Sequence, residues 1–306
     1  MENYHIPVLR QKAVDLLNIK KGGIYVDATT GGGGHLASIC DAVDDIRVIA
    51  LDKDSEAIEF AQNRCRKWED KIIFVNKNFS YLTSALALNR IRKIDGILFD
   101  LGVSSHQITA KDRGFSFQID EKLDMRMDKN AKLSAFQIVN YYDLEDIVRI
   151  IYEFGEEKYR RRIANNIVRS REKKKIVTTF ELKKIIENAI PYPNKKTLAR
   201  VFQAFRIEVN KELEVLEKAL KDSVDVLNEN GRIVVISYHS LEDRIVKNFF
   251  KYEEKECICP PNFPKCVCDK EKRLEIITKK PITPANEEVK TNPQARSAKL
   301  RAAERC

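Results

Sequence analysis

The residues able to do chemistry gather at a few points of this sequence: the run Asp27-Ala28-Thr29-Thr30-Gly31-Gly32-Gly33-Gly34-His35, the acids Asp52 and Asp100, His239, and the pairs Cys257-x-Cys259 and Cys266-x-Cys268. A glycine-rich loop that opens a helix lets backbone N–H groups and the helix N-terminus approach a ligand, because glycine has no Cβ to block them. The dinucleotide fingerprint G-x-G-x-x-G is incomplete, since Leu36 stands three positions after Gly33, and this disfavours a nicotinamide cofactor. Asp52 closes the next apolar run, where a carboxylate can accept hydrogen bonds from both hydroxyls of a ribose. Phe79 follows the third run and either packs on an adenine or joins the core. Asp100 ends the fourth run, at the edge where cofactor and acceptor should meet; it is either a proton acceptor or a cofactor ligand only. His239 follows the run Arg232 to Ser237 and is either a second acid–base candidate or a hydrogen-bonded structural residue.

These residues need a scaffold that brings them to one edge. Short apolar runs at Ile24 to Ala28, Arg47 to Leu51, Ile72 to Val75 and Ile94 to Phe99 read as strands. Helical patterns lie between them, from Ser55 to Trp68 and around Leu82, Leu86 and Leu88. Such alternation predicts a parallel sheet with helices on both faces. From about Ser105 to Asn210 the pattern turns helical, with apolar stripes at Ile147, Val148 and Ile151, at Ile163, Ile167 and Val168, and at Leu182, Ile185 and Ile186. A charged helix from Lys211 to Leu227 follows, and Gly231 marks a turn into a buried strand over Arg232 to Ser237. The expected architecture is α/β and Rossmann-like: residues 1–104 and 211–306 build the sheet domain, and residues 105–210 form an inserted helical subdomain. Residues 281–293 read as a surface loop.

The chain has 306 residues, 43% hydrophobic and 33% charged, with a formal net charge of +9. That is enough apolar material for a folded core. The positive balance makes nucleic acid the leading partner, against a merely solvated lysine-rich surface. Between Lys158 and Lys175 nine basic residues face one acid, Glu172. Ile163 and Ile167 would bury one stripe of that segment and leave Arg160, Arg161, Arg162, Arg169 and Arg171 outward, where phosphates could bind. No stretch approaches the length that crosses a bilayer and no basic start precedes an apolar run, so a cytoplasmic protein without a membrane partner is expected. The four cysteines of residues 257–268 are close enough in sequence to hold a structural zinc ion, or are reduced thiols in a surface loop. Cys40, Cys65 and Cys306 carry no such signal.

The glycine run followed by Ala50-Leu51-Asp52 resembles the first two motifs of Rossmann-like methyltransferases. Over nearly its whole length the chain resembles the bacterial 16S ribosomal RNA cytosine-N4 methyltransferases. The matching blocks are His5 to Leu9, Gly33-Gly34-His35, Asp95 to Ser105, Arg113-Gly114-Phe115-Ser116-Phe117, Leu123-Asp124-Met125-Arg126-Met127, Ile236 to Arg244, and Asn292 to Arg301. The resemblance implies a class I fold, S-adenosylmethionine as methyl donor, and 16S ribosomal RNA in the small subunit as partner, with the helical insert helping to hold RNA. It also implies cofactor contacts from Gly33, Gly34, His35, Asp52, Phe79, Asp100 and Gln107. His106 stands where the family usually has proline. Enzymes that methylate exocyclic amines often carry D/N-P-P-Y/F at the end of the fourth strand; here Asp100-Leu101-Gly102-Val103 keeps the acid and lacks the stacking aromatic. Phe115 and Phe117 are therefore the candidates to stack on an unstacked target base, or they anchor their loop in the core. Rival readings are another acceptor for the same cofactor, an RNA-binding assembly factor without chemistry, and a nicotinamide oxidoreductase.

Overall fold

The computed structural model describes residues 7–109, 112–260 and 265–306; His5 and Ile6 of the first matching block lie outside them. The chain runs α1 (Arg10–Leu17), β1 (Ile24–Asp27), α2 (Gly34–Ala42), β2 (Arg47–Asp52), α3 (Ser55–Arg64), β3 (Ile72–Asn76), α4 (Leu82–Leu88) and β4 (Ile94–Asp100). A helical stretch follows: α5 (Ser105–Thr109), α6 (Ala135–Tyr141), α7 (Leu144–Glu153), α8 (Arg160–Lys173), α9 (Thr179–Ala189) and α10 (Lys195–Asn210). Then come α11 (Glu212–Val226), β5 (Leu227–Ser237), α12 (Ser240–Glu253), β6 (Leu274–Ile276), α13 (Asn286–Thr291) and β7 (Lys299–Arg305).

Two compact units divide the chain: Met1–Gly102 with Leu213–Cys306, and Val103–Glu212. In the first unit the described strands form one sheet in the order β3-β2-β1-β4-β5-β7-β6. β1 to β5 pair in parallel, whereas β7 runs antiparallel to both β5 and β6. Side chains alternate faces along each strand. Val26, Ile49, Leu51, Ile97, Phe99, Ile233 and Val235 enter one core with Leu82, Leu86, Leu216, Leu220, Val246 and Phe250 of α4, α11 and α12. Tyr25, Val48, Ala50, Leu98, Val234 and Ile236 enter the other with Ala13, Leu17, Leu36 and Ile39 of α1 and α2. Both faces are covered, which is why the parallel strands read as continuous apolar runs.

The structure departs from the sequence reading at several places. Residues 281–293, read as a surface loop, carry α13 (Asn286–Thr291) and pair Ile282 with Leu300. The helix expected through Trp68 stops at Arg64, and Arg66–Trp68 tightens into a 3₁₀ turn that buries Trp68. β5 begins at Leu227, before Gly231; the irregularity expected there is a bulge, since pairing with β4 slips between Ile94 and Gly96 and Asn230 takes φ 62°.

The second unit is helical, as its periodicity predicts. Ile147, Ile150 and Ile151 of α7, Ile163 and Ile167 of α8, Leu182 and Ile186 of α9, and Val201 and Phe205 of α10 share one core. Two of the blocks that carry the resemblance fold against each other here. Arg113 is 2% exposed and donates through Nη2 to the Met127 carbonyl at 3.2 Å, while Met125 N donates to the Arg113 carbonyl at 2.9 Å. Gly114 has φ +66°, and a Cβ there would lie 2.3 Å from the Lys122 carbonyl oxygen. Asn210, ending α10, donates to the Met125 carbonyl and accepts from Met127 N. The units change at Gly102 and Leu213.

Candidate active site

Parallel strands deliver their last residues to one edge of the sheet, and β1, β2 and β4 each deliver an aspartate: Asp27, Asp52 and Asp100. The bend after β1 is held from three sides. Thr30 N donates to the Leu51 carbonyl at 2.9 Å, Gly31 N to Asp52 Oδ2 at 2.8 Å, and Arg64 Nη1 to the Gly32 carbonyl at 3.1 Å. Gly33 is the N-cap of α2 at φ 72°, and a Cβ on it would press within 3.3 Å of Ala61 in α3. At Gly31, φ +47°, a Cβ would meet nothing closer than the Thr29 carbonyl oxygen at 3.9 Å, an ordinary contact. A glycine bend free of side chains at a helix N-terminus is the shape a cofactor-binding loop requires.

Asp52 has two duties. Its Oδ2 ties down Gly31, and its Oδ1 accepts from Asp54 N at 2.9 Å. Each carboxylate oxygen has a second lone pair, so ribose hydroxyls can still be accepted. Burial raises its pKa above the ordinary range while the two N–H groups oppose that shift. Phe79 follows β3 and packs edge-on to Phe99 with ring centroids 5.5 Å apart, leaving it only partly buried.

Asp27 is fully buried, and its Oδ2 has no hydrogen-bond partner. Burial raises its pKa to about 7, opposed by the nearby His35 and by the Thr29 N–H that reaches Oδ1 at 3.2 Å. His35 is 5% exposed; neither Nδ1 nor Nε2 has a hydrogen-bond partner, Nε2 lying 3.4 Å from Asp100 Oδ2. Buried polar atoms without partners are costly, so an incompletely satisfied Asp27 and His35 beside an open glycine bend suit a polar, cationic ligand.

Asp100 is fixed at both ends. Its backbone N donates to Thr29 Oγ1 at 2.6 Å, and its Oδ1 accepts from the Tyr238 hydroxyl at 2.8 Å. Burial and the neighbouring Asp100 push the Tyr238 phenol well above its ordinary pKa, so this hydroxyl stays a donor. Tyr238, not its neighbour His239, is the residue after β5 that reaches Asp100. His239 instead caps α12: its Nδ1 accepts from Glu242 N at 3.4 Å, and its Nε2 lies 3.1 Å from Glu242 Oε1. Glu242 returns the contact by accepting from Tyr238 N and His239 N. The structure gives His239 a capping contact with Glu242 of its own helix and brings Tyr238 rather than His239 to Asp100. Tyr238, Asp27 and Thr29 were missed as site residues; the usable signal was that each lies within two residues of a strand's carboxyl end.

The remaining candidates lie in the second unit. Gln107 is 6% exposed and pairs with Ser104, accepting from its N at Oε1 and donating from its own N to Oγ, each at 3.1 Å. Phe115 and Phe117 pack against the helical core, with Phe117 5.5 Å from Phe202 edge-on. Both are partly buried against that core. On α8, Arg171 turns inward to the Val139 carbonyl at 2.9 Å, which corrects its placement among the outward arginines. Arg160 lies over the Tyr152 ring at 4.3 Å, and Arg161 pairs with Glu145 at 2.8 Å. Arg162 and Arg169 are exposed on the same helix. In the first unit, the sulfurs of Cys257, Cys259, Cys266 and Cys268 all lie within 4.8 Å of one another. Cys40 and Cys65 are buried, and burial pushes their thiols up to about 12 and about 11.

A mostly parallel sheet with one antiparallel strand between β5 and β6, and a glycine bend and three aspartates at its carboxyl edge, define a class I S-adenosylmethionine-dependent methyltransferase. A model of the MraW methylase family matches residues 2–306, and the chain belongs to that family. It is 48% identical over 310 residues to the ribosomal RNA small subunit methyltransferase H of Finegoldia magna, covering 100% of this chain and 99% of that one. It is similarly 49% identical to the protein of that name from Carboxydothermus hydrogenoformans, with 100% and 99% covered. For the Caldicellulosiruptor saccharolyticus protein the identity is 51%, with 98% and 99% covered.

Proposed function

We propose that this enzyme methylates the exocyclic N4 amine of a cytidine in the 16S RNA of the small ribosomal subunit, acting in the cytoplasm. The RNA substrate is supported by the names of relatives that match end to end, and the N4 position by the resemblance of the sequence blocks. Among the described residues no helix is long and apolar enough to cross a membrane.

The observation that carries the chemistry is Asp100, fixed by the Tyr238 hydroxyl at the end of β4, with the imidazole of His35 close by. The donor, when bound, supplies an electrophilic methyl group on a sulfonium. The chain's own residues do the rest. The glycine bend and Asp52 hold the nucleoside part, Phe79 offers a ring edge at the same end of the sheet, and Asp27 supplies buried negative charge as it ionises. An exocyclic amine is a poor nucleophile because its lone pair is delocalised into the ring, so a positioned acceptor must take its proton. Asp100 Oδ2 is that acceptor, and Tyr238 fixes the carboxylate's rotation through Oδ1. On the second unit, the outward arginines of α8 hold RNA phosphates without reading bases.

The test is incubation of the enzyme with labelled S-adenosylmethionine and undermethylated small subunits, followed by nucleoside analysis. Label in N4-methylcytidine is expected. Label in another nucleoside, or binding of RNA with no label transferred, would overturn the assignment.

A further inference from the structure

Free cysteine is among the most buried residue types, yet the quartet between α12 and β6 is not. Cys257 and Cys266 are exposed and Cys259 and Cys268 only partly covered, while Cys40 and Cys65 lie in the core. The quartet belongs to neither hydrophobic cluster of its unit, and Ile258 and Val267 between its members are 45% and 65% exposed. Apolar packing does not explain why four thiols from two separated Cys-x-Cys pairs turn toward one point.

Their geometry does. Cys257 Sγ lies 3.4 Å from Cys266 Sγ and 3.8 Å from Cys268 Sγ, and Cys266 Sγ lies 3.5 Å from Cys268 Sγ. A tetrahedron of sulfurs about 2.3 Å from a central zinc has edges of about 3.8 Å. Backbone N–H groups point at the sulfurs: Ile258 N at Cys268, Cys259 N at Cys257, and Val267 N at Cys259, at 3.4, 3.4 and 3.5 Å. Such donors stabilise thiolates and offset the excess negative charge of four thiolates on a divalent ion. An all-sulfur, four-coordinate donor set selects a soft or borderline tetrahedral metal, and it leaves no open position for catalysis.

We propose that Cys257, Cys259, Cys266 and Cys268 bind one zinc ion that closes the loop between α12 and β6, independently of methyl transfer. Coordination would hold together the described residues of this loop, which join neither core of the unit. The four ligands lie outside both cores of the unit, so removing the metal loosens this loop and leaves the sheet intact.

The full chain, purified without chelator, is analysed for metals beside Cys257→Ser and, as control, Cys306→Ser. One zinc per chain is expected in the parent and in Cys306→Ser, and none above background in Cys257→Ser. The metal-free reduced protein should take up cobalt(II) with the intense visible absorption of a tetrahedral thiolate site. Cys257→Ser should keep the parent's circular dichroism and S-adenosylmethionine affinity while limited proteolysis cuts between residues 255 and 269. A reduced parent that binds neither zinc nor cobalt overturns the proposal. So does iron in place of zinc, full zinc content in Cys257→Ser, or a mass showing the four thiols joined as disulfides in protein purified under reducing conditions.

Discussion

At the scale of single residues, Asp27 couples the site to pH. Its pKa is about 7 in the fold against an ordinary value of 3.8, so between those values the unfolded chain gives up its proton while the folded chain keeps it. Stability of the ligand-free protein should therefore fall as pH rises through that window and level off above about 7. Urea denaturation from pH 4 to 8 should show this slope, and Asp27→Asn should flatten it. A cationic donor favours the ionised carboxylate, so its affinity should rise through about pH 7 in the parent and not in Asp27→Asn, as titration calorimetry can read. Asp100→Asn should lower kcat by roughly 10²- to 10⁴-fold with donor affinity nearly unchanged, the magnitude of a lost general base. Tyr238→Phe should lower kcat less, about tenfold, by freeing the carboxylate's rotation. Asp52 and Asp100 were legible because acids closing apolar runs are easy to see. That Tyr238 rather than His239 meets Asp100 was not legible, because the turn after β5 decides it, and that turn depends on Glu242 accepting two backbone N–H groups.

At the scale of elements, caps and close approaches decide which substitutions matter. His239→Ala should destabilise the protein by about 1 kcal/mol through loss of the α12 cap, and His239→Asn should recover most of it. Thermal denaturation measures both, and an unchanged midpoint in His239→Ala would contradict the capping role. Gly114→Ala should cost more than about 2 kcal/mol, because its Cβ would meet the Lys122 carbonyl in a backbone region that alanine avoids. Chemical denaturation of the parent and variant checks this. Strands β1, β2 and β4 were readable from apolar runs because they are buried on both faces, and edge strand β3 because its run Ile72 to Val75 is apolar though only partly buried. The start of β5 was not, because a bulge lets pairing continue past Gly231. The partnership of distant sequence blocks was also hidden: Asp243 of α12 accepts from Lys299 and Arg301 of β7 at 3.0 and 2.6 Å. Those basic residues serve as ties between elements.

At the scale of the whole molecule, the division into a sheet unit and a helical unit followed from where strand–helix alternation stops. The use of the basic segment was only partly legible. Helical periodicity locates the buried stripe of Ile163 and Ile167, but Arg171 sits at its margin, and only the fold turns it to a carbonyl. Arg162→Glu combined with Arg169→Glu should weaken RNA binding most at low salt and reduce the slope of log affinity against log salt by about 2. Donor affinity should not change; filter binding across a salt series and calorimetry together check this. One feature of the sheet bears on how the protein is made. β7 wedges between β5 and β6 although it is synthesised after both, so a nascent chain that has not reached Lys299 carries β5 with its outer rim bare and Asp243 without its cations. Such a species invites pairing with other chains, and translation arrested just short of Lys299 should yield material that pellets on centrifugation, whereas supplying the missing strand as a peptide should keep it in solution.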